Sequence, residues 1–179
     1  MDKYYTLHVA GLTRELPLCP VNEHLDIAAF VMFSDVELTI ACATELNKIA
    51  PDHDVIITAE SKGIPLAYEM SRQSGKKYIL ARKSAKLYMK APIRVQVKSI
   101  TTARIQELYI DKEDIDCLKD KRVLIVDDVI STGESLNALE SLVEQAGGNT
   151  VGRMAVLAEG EAADRKDILF LEKLPLFFK

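Results

Sequence analysis

The sequence of 179 residues has no tryptophan, only three cysteines and eight glycines. Cys19, Cys42 and Cys117 are scattered and odd in number, which argues against a disulfide framework or a zinc site and for buried or idle thiols. His8, His24 and His53 are expected on the surface or in loops, and no two share metal-ligand spacing, so no transition metal is assigned. No apolar run reaches membrane-spanning length, and Met1-Asp2-Lys3-Tyr4-Tyr5 does not read as a signal peptide. Neither Gly-x-x-x-x-Gly-Lys-Ser/Thr nor Gly-x-Gly-x-x-Gly occurs, which removes the signatures of the common nucleotide-binding loops. With 48% apolar and 28% charged residues, the composition is that of a soluble domain, expected in the cytoplasm. One absence is local. Between Met70 and Gln106 there is no Asp or Glu but there are ten Lys or Arg, although the whole chain carries −4. A basic segment on an acidic protein points to a local polyanion rather than to nucleic acid in general.

What is present centres on Val123 to Ser135. Four apolar residues, Val123 to Val126, read as a strand buried on both faces. Asp127 and Asp128 stand where that strand is expected to end, followed by Ser131, Thr132 and Gly133 in a loop. Leu136, Leu139, Leu142, Val143 and Ala146 then form the stripe of a helix that Gly147 stops. A small-residue loop opening a helix offers free backbone N–H groups and a positive dipole end, which suit a phosphate. The carboxylate pair beside it can accept sugar hydroxyls or hold Mg²⁺. Phosphate and sugar sites side by side imply a phosphorylated sugar.

Strands and helices alternate along the chain, which predicts an α/β fold with a parallel sheet covered by helices on both faces. Residues 3–19 predict a hairpin turning at Ala10-Gly11, with Leu12, Leu16 and Leu18 on one side of its second strand. Ser34-Asp35-Val36-Glu37 reads as a capping box for a helix running to about Ala50, with Val36, Ile40, Ala43 and Leu46 or Asn47 inward. Val55 to Ala59 and Tyr78 to Ala81 predict strands, with a helix between them that starts near Pro65 and ends at Gly75. Residues 82–104 read as a long arm or mobile loop, Ile105 to Ile110 as a strand and Lys112 to Asp120 as an acidic turn. Thr150 to Ala158 is a further strand candidate, followed by a polar loop and an apolar tail, Ile168 to Phe178. Ligands of such sheets sit beyond the carboxyl ends of the strands, and the loops at 60–63 and 127–135 both follow strand ends. A single domain over 1–179 is expected, with no internal repeat or linker.

The stretch Val-Leu-Ile-Val-Asp-Asp-Val-Ile-Ser-Thr-Gly-Glu-Ser closely resembles the phosphoribosyl diphosphate (PRPP) binding motif of the type I phosphoribosyltransferases. Glu60-Ser61-Lys62-Gly63 resembles the diphosphate-binding loop of that family, although adenine-type members typically have Arg where Lys62 stands. Arg82-Lys83-Ser84-Ala85-Lys86-Leu87 is similar to the start of the flexible loop in adenine phosphoribosyltransferases. Beyond Leu87 the likeness fades. The adenine enzymes carry a Glu-Tyr-Gly element there whose glutamate assists proton transfer, and this chain has no carboxylate in the region.

The resemblance implies a type I phosphoribosyltransferase fold, with residues 1–31 as a small hood, 32–179 as the core and 82–104 as a flexible basic loop. It implies transfer of the 5-phosphoribosyl group from PRPP to a purine base, adenine favoured, with release of diphosphate. Asp127 and Asp128 would hold the ribose hydroxyls, one of them also serving as a proton acceptor. Ser131, Thr132, Gly133, Glu134 and Ser135 would hold the 5′-phosphate, Glu134 through its backbone N–H. Glu60, Ser61, Lys62, Gly63, Arg82, Lys83 and Lys86 would hold the diphosphate, Lys86 with a catalytic part as charge departs. Mg²⁺ would be held mainly by the ligand, with Asp127 and Asp128. Leu25, Ile27 and Val129 are candidates for the base, and Tyr4, Tyr5 and Phe30 for stacking on it. A homodimer is expected by analogy. The alternatives are xanthine or another base as acceptor, or a PRPP-binding sensor that does not turn over.

Overall fold

The computed structural model of the chain describes residues 3–98 and 105–179. Five strands form the central parallel sheet: β4 (Val55–Ala59), β5 (Tyr78–Ala81), β8 (Arg122–Ile130), β9 (Asn149–Glu159) and β10 (Leu169–Leu174). Their spatial order is β10-β9-β8-β4-β5, and every neighbouring pair is parallel. Alternate residues of the central strands feed two separate cores. Ile56, Leu124, Val126 and Met154 pack on one face under α1 (Val36–Ile49) and α2 (Ile64–Ser74). Ile57, Val123, Ile125 and Ala155 pack on the other, under α4 (Glu134–Gln145). Strands covered on both faces need no polar alternation, hence the nearly unbroken apolar runs.

The hood is a second, antiparallel sheet in the order β1-β2-β3-β11, made by β1 (Tyr4–Val9), β2 (Leu12–Asn22), β3 (Leu25–Ala28) and β11 (Leu176–Phe178). Its first turn is at Ala10-Gly11, both with positive φ, as the hairpin reading predicts. The apolar tail divides in two. One part becomes the edge strand β10 and the other pairs with β3 in the hood.

Four local expectations are corrected. The N-cap of α1 is Asp35, not Ser34: its Oδ1 accepts from the Leu38 N–H at 3.1 Å. Arg14 of β2 donates to the same carboxylate at 2.6 Å, so the cap also ties the hood to the helix. The inner face of α1 is accordingly Leu38, Thr39, Cys42, Ala43 and Leu46, while Val36 and Ile40 face outward. Lys112–Leu118 is a helix, α3, whose cap Asp111 also accepts from the N–H groups of Lys90 and Ala91. Within the segment expected as one flexible loop, β6 (Ile93–Lys98) pairs with β7 (Ile105–Ile110), and Val95 is 3% exposed in the core under α4. Residues 99–104 of that loop lie outside the described residues. His53, in its loop, is buried, with Nδ1 2.8 Å from the carbonyl oxygen of Pro51.

Candidate active site

The carboxyl ends of β4 and β8 lie side by side, and each delivers a loop to the same rim. β8 does not end before the acidic pair but runs on to Ile130, since Asp127 and Val129 still pair with Ala155 and Leu157 of β9. Asp127 and Asp128 therefore sit on rigid strand backbone, with successive side chains on opposite faces. The Asp128 side chain is 4% exposed, and its Oδ2 accepts no hydrogen bond among the described residues. The nearest cation is Lys62, with Nζ at 3.3 Å. Asp127 Oδ1 accepts from the Asp128 N–H at 2.8 Å. Burial, then repulsion from Asp128, pushes the Asp127 carboxyl far above the usual carboxylate range. A buried and a half-buried carboxylate side by side with one lysine are short of positive charge.

Ser131 to Gly133 leave the strand in a tight loop, and Gly133 caps α4 with φ +80°. A side chain there would be strained and would also meet Arg165, whose Nη1 lies 2.7 Å from where a Cβ would stand. Arg165 belongs to the turn after β9, is salt-bridged to Asp167 at 2.6 Å, and overhangs the loop expected to take the phosphate. No motif marks it in the sequence. Thr132 Oγ1 is 3.5 Å from the Glu134 N–H.

The loop after β4 packs against this pair. Gly63 lies so close that a Cβ would come within 2.4 Å of Thr58 Oγ1 and 2.9 Å of Asp127 Oδ1. The Glu60–Ser61 peptide is cis. Glu60 faces the basic segment: Oε1 is 2.8 Å from Arg82 Nε and 3.9 Å from Lys86 Nζ, and Oε2 accepts the Lys83 N–H at 2.8 Å. The Lys83 N–H bond, then desolvation opposed by Arg82 and Lys86, leaves the Glu60 carboxyl below its ordinary value. Thus Lys62, Arg82 and Lys86 all reach the rim, and Glu60 gathers the last two.

A cavity of ≈ 250 Å³ opens beside the acidic pair, between the hood and the ends of β8 and β9. Ile27, Phe30, Val129 and Leu174 supply its apolar lining, and Lys62, Ser131 and Glu159 its polar groups. Leu25 is not among the lining residues; it pairs with Phe178 at the far end of β3. Tyr5 is turned to Phe177, ring centroids 5.4 Å apart, and Tyr4 is exposed. Glu159, the last residue of β9, was missed in the sequence, because only the sheet register places it level with the loop after β8.

The family model for the phosphoribosyl transferase domain matches residues 38–175. An adenine phosphoribosyltransferase of Petrotoga mobilis is 35% identical over 60% of this chain and 59% of that protein. One of Acetivibrio thermocellus is 33% identical, covering 78% of this chain and 80% of that protein. The purine biosynthesis transcriptional repressor of Bacillus subtilis is 29% identical over 63% of this chain, which spans only 39% of the repressor. Among solved structures, the adenine phosphoribosyltransferase of Thermoanaerobacter pseudethanolicus superposes with a TM-score of 0.71, at 20% identity, over 88% of this chain and 95% of that one. Matched over most of its length, with its acidic strand end and glycine loop inside the match, this chain belongs to the phosphoribosyl transferase domain family.

Proposed function

We propose that the chain is a purine phosphoribosyltransferase that transfers the 5-phosphoribosyl group from PRPP to a purine base, adenine favoured, and releases diphosphate. One observation carries this reading. A cation-poor carboxylate pair, an anion loop capped by Gly133 and the cations Lys62, Arg82 and Lys86 converge on one strand-end rim, beside a cavity lined by the hood. Diphosphate, 5′-phosphate, ribose hydroxyls and a planar base each have a matching surface there. The adenine enzymes among the relatives favour adenine as acceptor.

In this reading Asp127 and Asp128 accept hydrogen bonds from the ribose hydroxyls. Ser131, Thr132, Gly133, Glu134 and Ser135 hold the 5′-phosphate at the start of α4. Ser61, Lys62, Gly63, Lys83, Arg82 and Lys86 receive the diphosphate, Glu60 having preset the last two. Displacement at C1 of the ribose passes through a state with positive charge on the sugar and growing negative charge on the diphosphate. Binding energy that fixes both ends of PRPP lowers that barrier. The residues fit Mg²⁺: the buried Asp128 Oδ2 lacks a hydrogen bond, and burial and then repulsion from Asp128 raise the Asp127 carboxyl, so a cation at the pair would relieve both. Asp127 and Asp128 would hold the ion together with oxygens of PRPP, and it would neutralise diphosphate charge.

A homodimer is part of the reading. Phe33, Val36, Ile40 and Tyr68 stand exposed around a groove between α1 and α2, Val36 at 68% and Tyr68 at 55%. Its acidic members are already neutralised within the chain, Asp35 by Arg14 and Glu69 by Arg72. An apolar groove with internally paired charges suits the same face of a second copy better than a charged partner.

The test is diphosphate release from PRPP and Mg²⁺ with adenine, hypoxanthine, guanine, xanthine, uracil or orotate. Release that depends on one purine establishes the activity and names the acceptor. The repressor relative, and the lack of an acid between Met70 and Gln106, favour a second reading, a PRPP sensor. PRPP binding without release with any base would select it.

A further inference from the structure

A base that attacks through one ring nitrogen must lose a proton, and the segment from Met70 to Gln106 has no carboxylate to take it. Asp127 and Asp128 do not line the cavity beside the hood, and in the transferase reading their place is at the sugar. Glu159 does line it, as the only carboxylate among the lining residues. Its position follows from register. β8 and β9 pair as far as Ile130 and Ala158, which places Glu159 one residue beyond that level, beside the start of the Ser131 loop.

Glu159 also differs from the other acids of the rim in accepting no hydrogen bond, Lys62 acting on it only through its charge. Asp128 has Lys62, Asp127 the Asp128 N–H, and Glu60 the basic segment. No hydrogen bond or salt bridge holds the Glu159 carboxylate among the described residues, so its acceptor sites remain open to the cavity. Ile27, Phe30, Val129 and Leu174 supply the apolar wall of the same cavity. Lys62 is the one other charged side chain on the lining, and its ammonium lies at Asp128.

We propose that Glu159 is a catalytic residue of the transfer: its carboxylate receives the N–H of the purine's five-membered ring and takes that proton as the opposite ring nitrogen attacks. The assignment rests on the transferase reading above. The N–C1 bond forms with the nitrogen electron pair, the C1–O bond breaks, diphosphate departs with that pair, and the ring proton ends on Glu159. Burial raises the Glu159 carboxyl from its ordinary value and Lys62 lowers it. A raised carboxyl is a better base than an ordinary one. The volume, ≈ 250 Å³, suits a base alone, since pockets for larger ligands run to about 300–1,000 Å³.

The experiment compares wild type, Glu159→Gln and Glu159→Asp in diphosphate release with adenine from pH 5 to 9, with PRPP affinity measured by calorimetry. Glu159→Gln should lower kcat on the order of a hundredfold or more and remove the acid limb of the rate profile. PRPP affinity should stay within about threefold, since the sugar and phosphate residues are untouched. Glu159→Asp should keep part of the rate and the acid limb, which a merely structural role would not produce. A Glu159→Gln enzyme with near wild-type kcat and the same acid limb overturns the assignment while leaving the transferase reading standing. Wild type that binds PRPP but releases nothing with any base overturns both.

Discussion

The two ends of the strand pair β4 and β8 treat charge in opposite ways. At the amino end Arg122 donates to Asp54 at 2.7 Å and pairs with Asp52, and the Arg122 N–H adds a bond to Asp54 at 2.9 Å. Both carboxyls are held below their ordinary values by that guanidinium. At the carboxyl end two aspartates face one lysine, which lies 3.3 Å from Asp128, and the other, Asp127, is driven upward. The same two strands thus carry a satisfied ion cluster at one end and a deficit of positive charge at the other. A deficit is costly to the fold alone and useful only to something that binds there.

The largest expected effect tests the deficit. Replacing Asp127 and Asp128 together by Asn should weaken PRPP binding with Mg²⁺ by roughly a hundredfold or more, since hydrogen bonds to charged groups contribute about 1.5–3 kcal/mol each. Calorimetry on a variant with native circular dichroism decides it, and unchanged affinity would remove the assigned role.

Next comes the contact between the two loops. Gly63→Ala places a methyl against Thr58 Oγ1 and Asp127 Oδ1, which should cost about 1–3 kcal/mol and weaken PRPP binding as well. Adding Thr58→Ala should return part of the stability in urea titrations. No return would mean that the crowding at Asp127 dominates.

Asp127→Asn alone should stabilise the protein while impairing binding. The native state keeps the Asp127 proton to higher pH than the unfolded chain does, so native stability falls as pH rises above the unfolded carboxylate range, near 4. Asn removes that loss. The gain in urea stability should be on the order of 1 kcal/mol at pH 8 and absent at pH 4. A variant less stable than wild type at pH 8 would show that the pair is better satisfied than its surroundings imply.

The smallest effect belongs to the opposite end. Arg122→Ala should lower the melting temperature slightly and leave PRPP affinity unchanged. Asp52 and Asp54 are held low in the native state, so their contribution is present above about pH 4 and lost as pH falls. The gap between wild type and Arg122→Ala should therefore close in acid. An affinity change larger than the stability change would join the two ends into one unit.

Legibility followed the range of the forces involved. The central strand, α4 and the loop between them were readable because apolar runs, helical spacing and Gly133 are local signals. The α1 cap went to Asp35 because Arg14, twenty-one residues earlier, reaches that carboxylate rather than Ser34. β6 was obscured by its charges, since a hairpin with one face on α4 leaves the other free for Arg94 and Gln96. Of the residues expected at the base, Ile27 and Val129 line the cavity and Leu25 does not, while Glu159 lines it without having been expected there.

Residue order alone was enough for the α/β class, the parallel sheet, the two loops at strand ends and the acidic pair with its phosphate-suited helix start. Each of these depends on neighbours within about a dozen positions. The tertiary structure decided what meets across the rim: Glu60 with Arg82 and Lys86, Arg165 over Gly133, the tail strand β11 completing the hood, and Glu159 in the cavity. Those pairings depend on sheet order and register. Both are set by two apolar cores burying their strands at once, a balance that no single stretch of sequence contains.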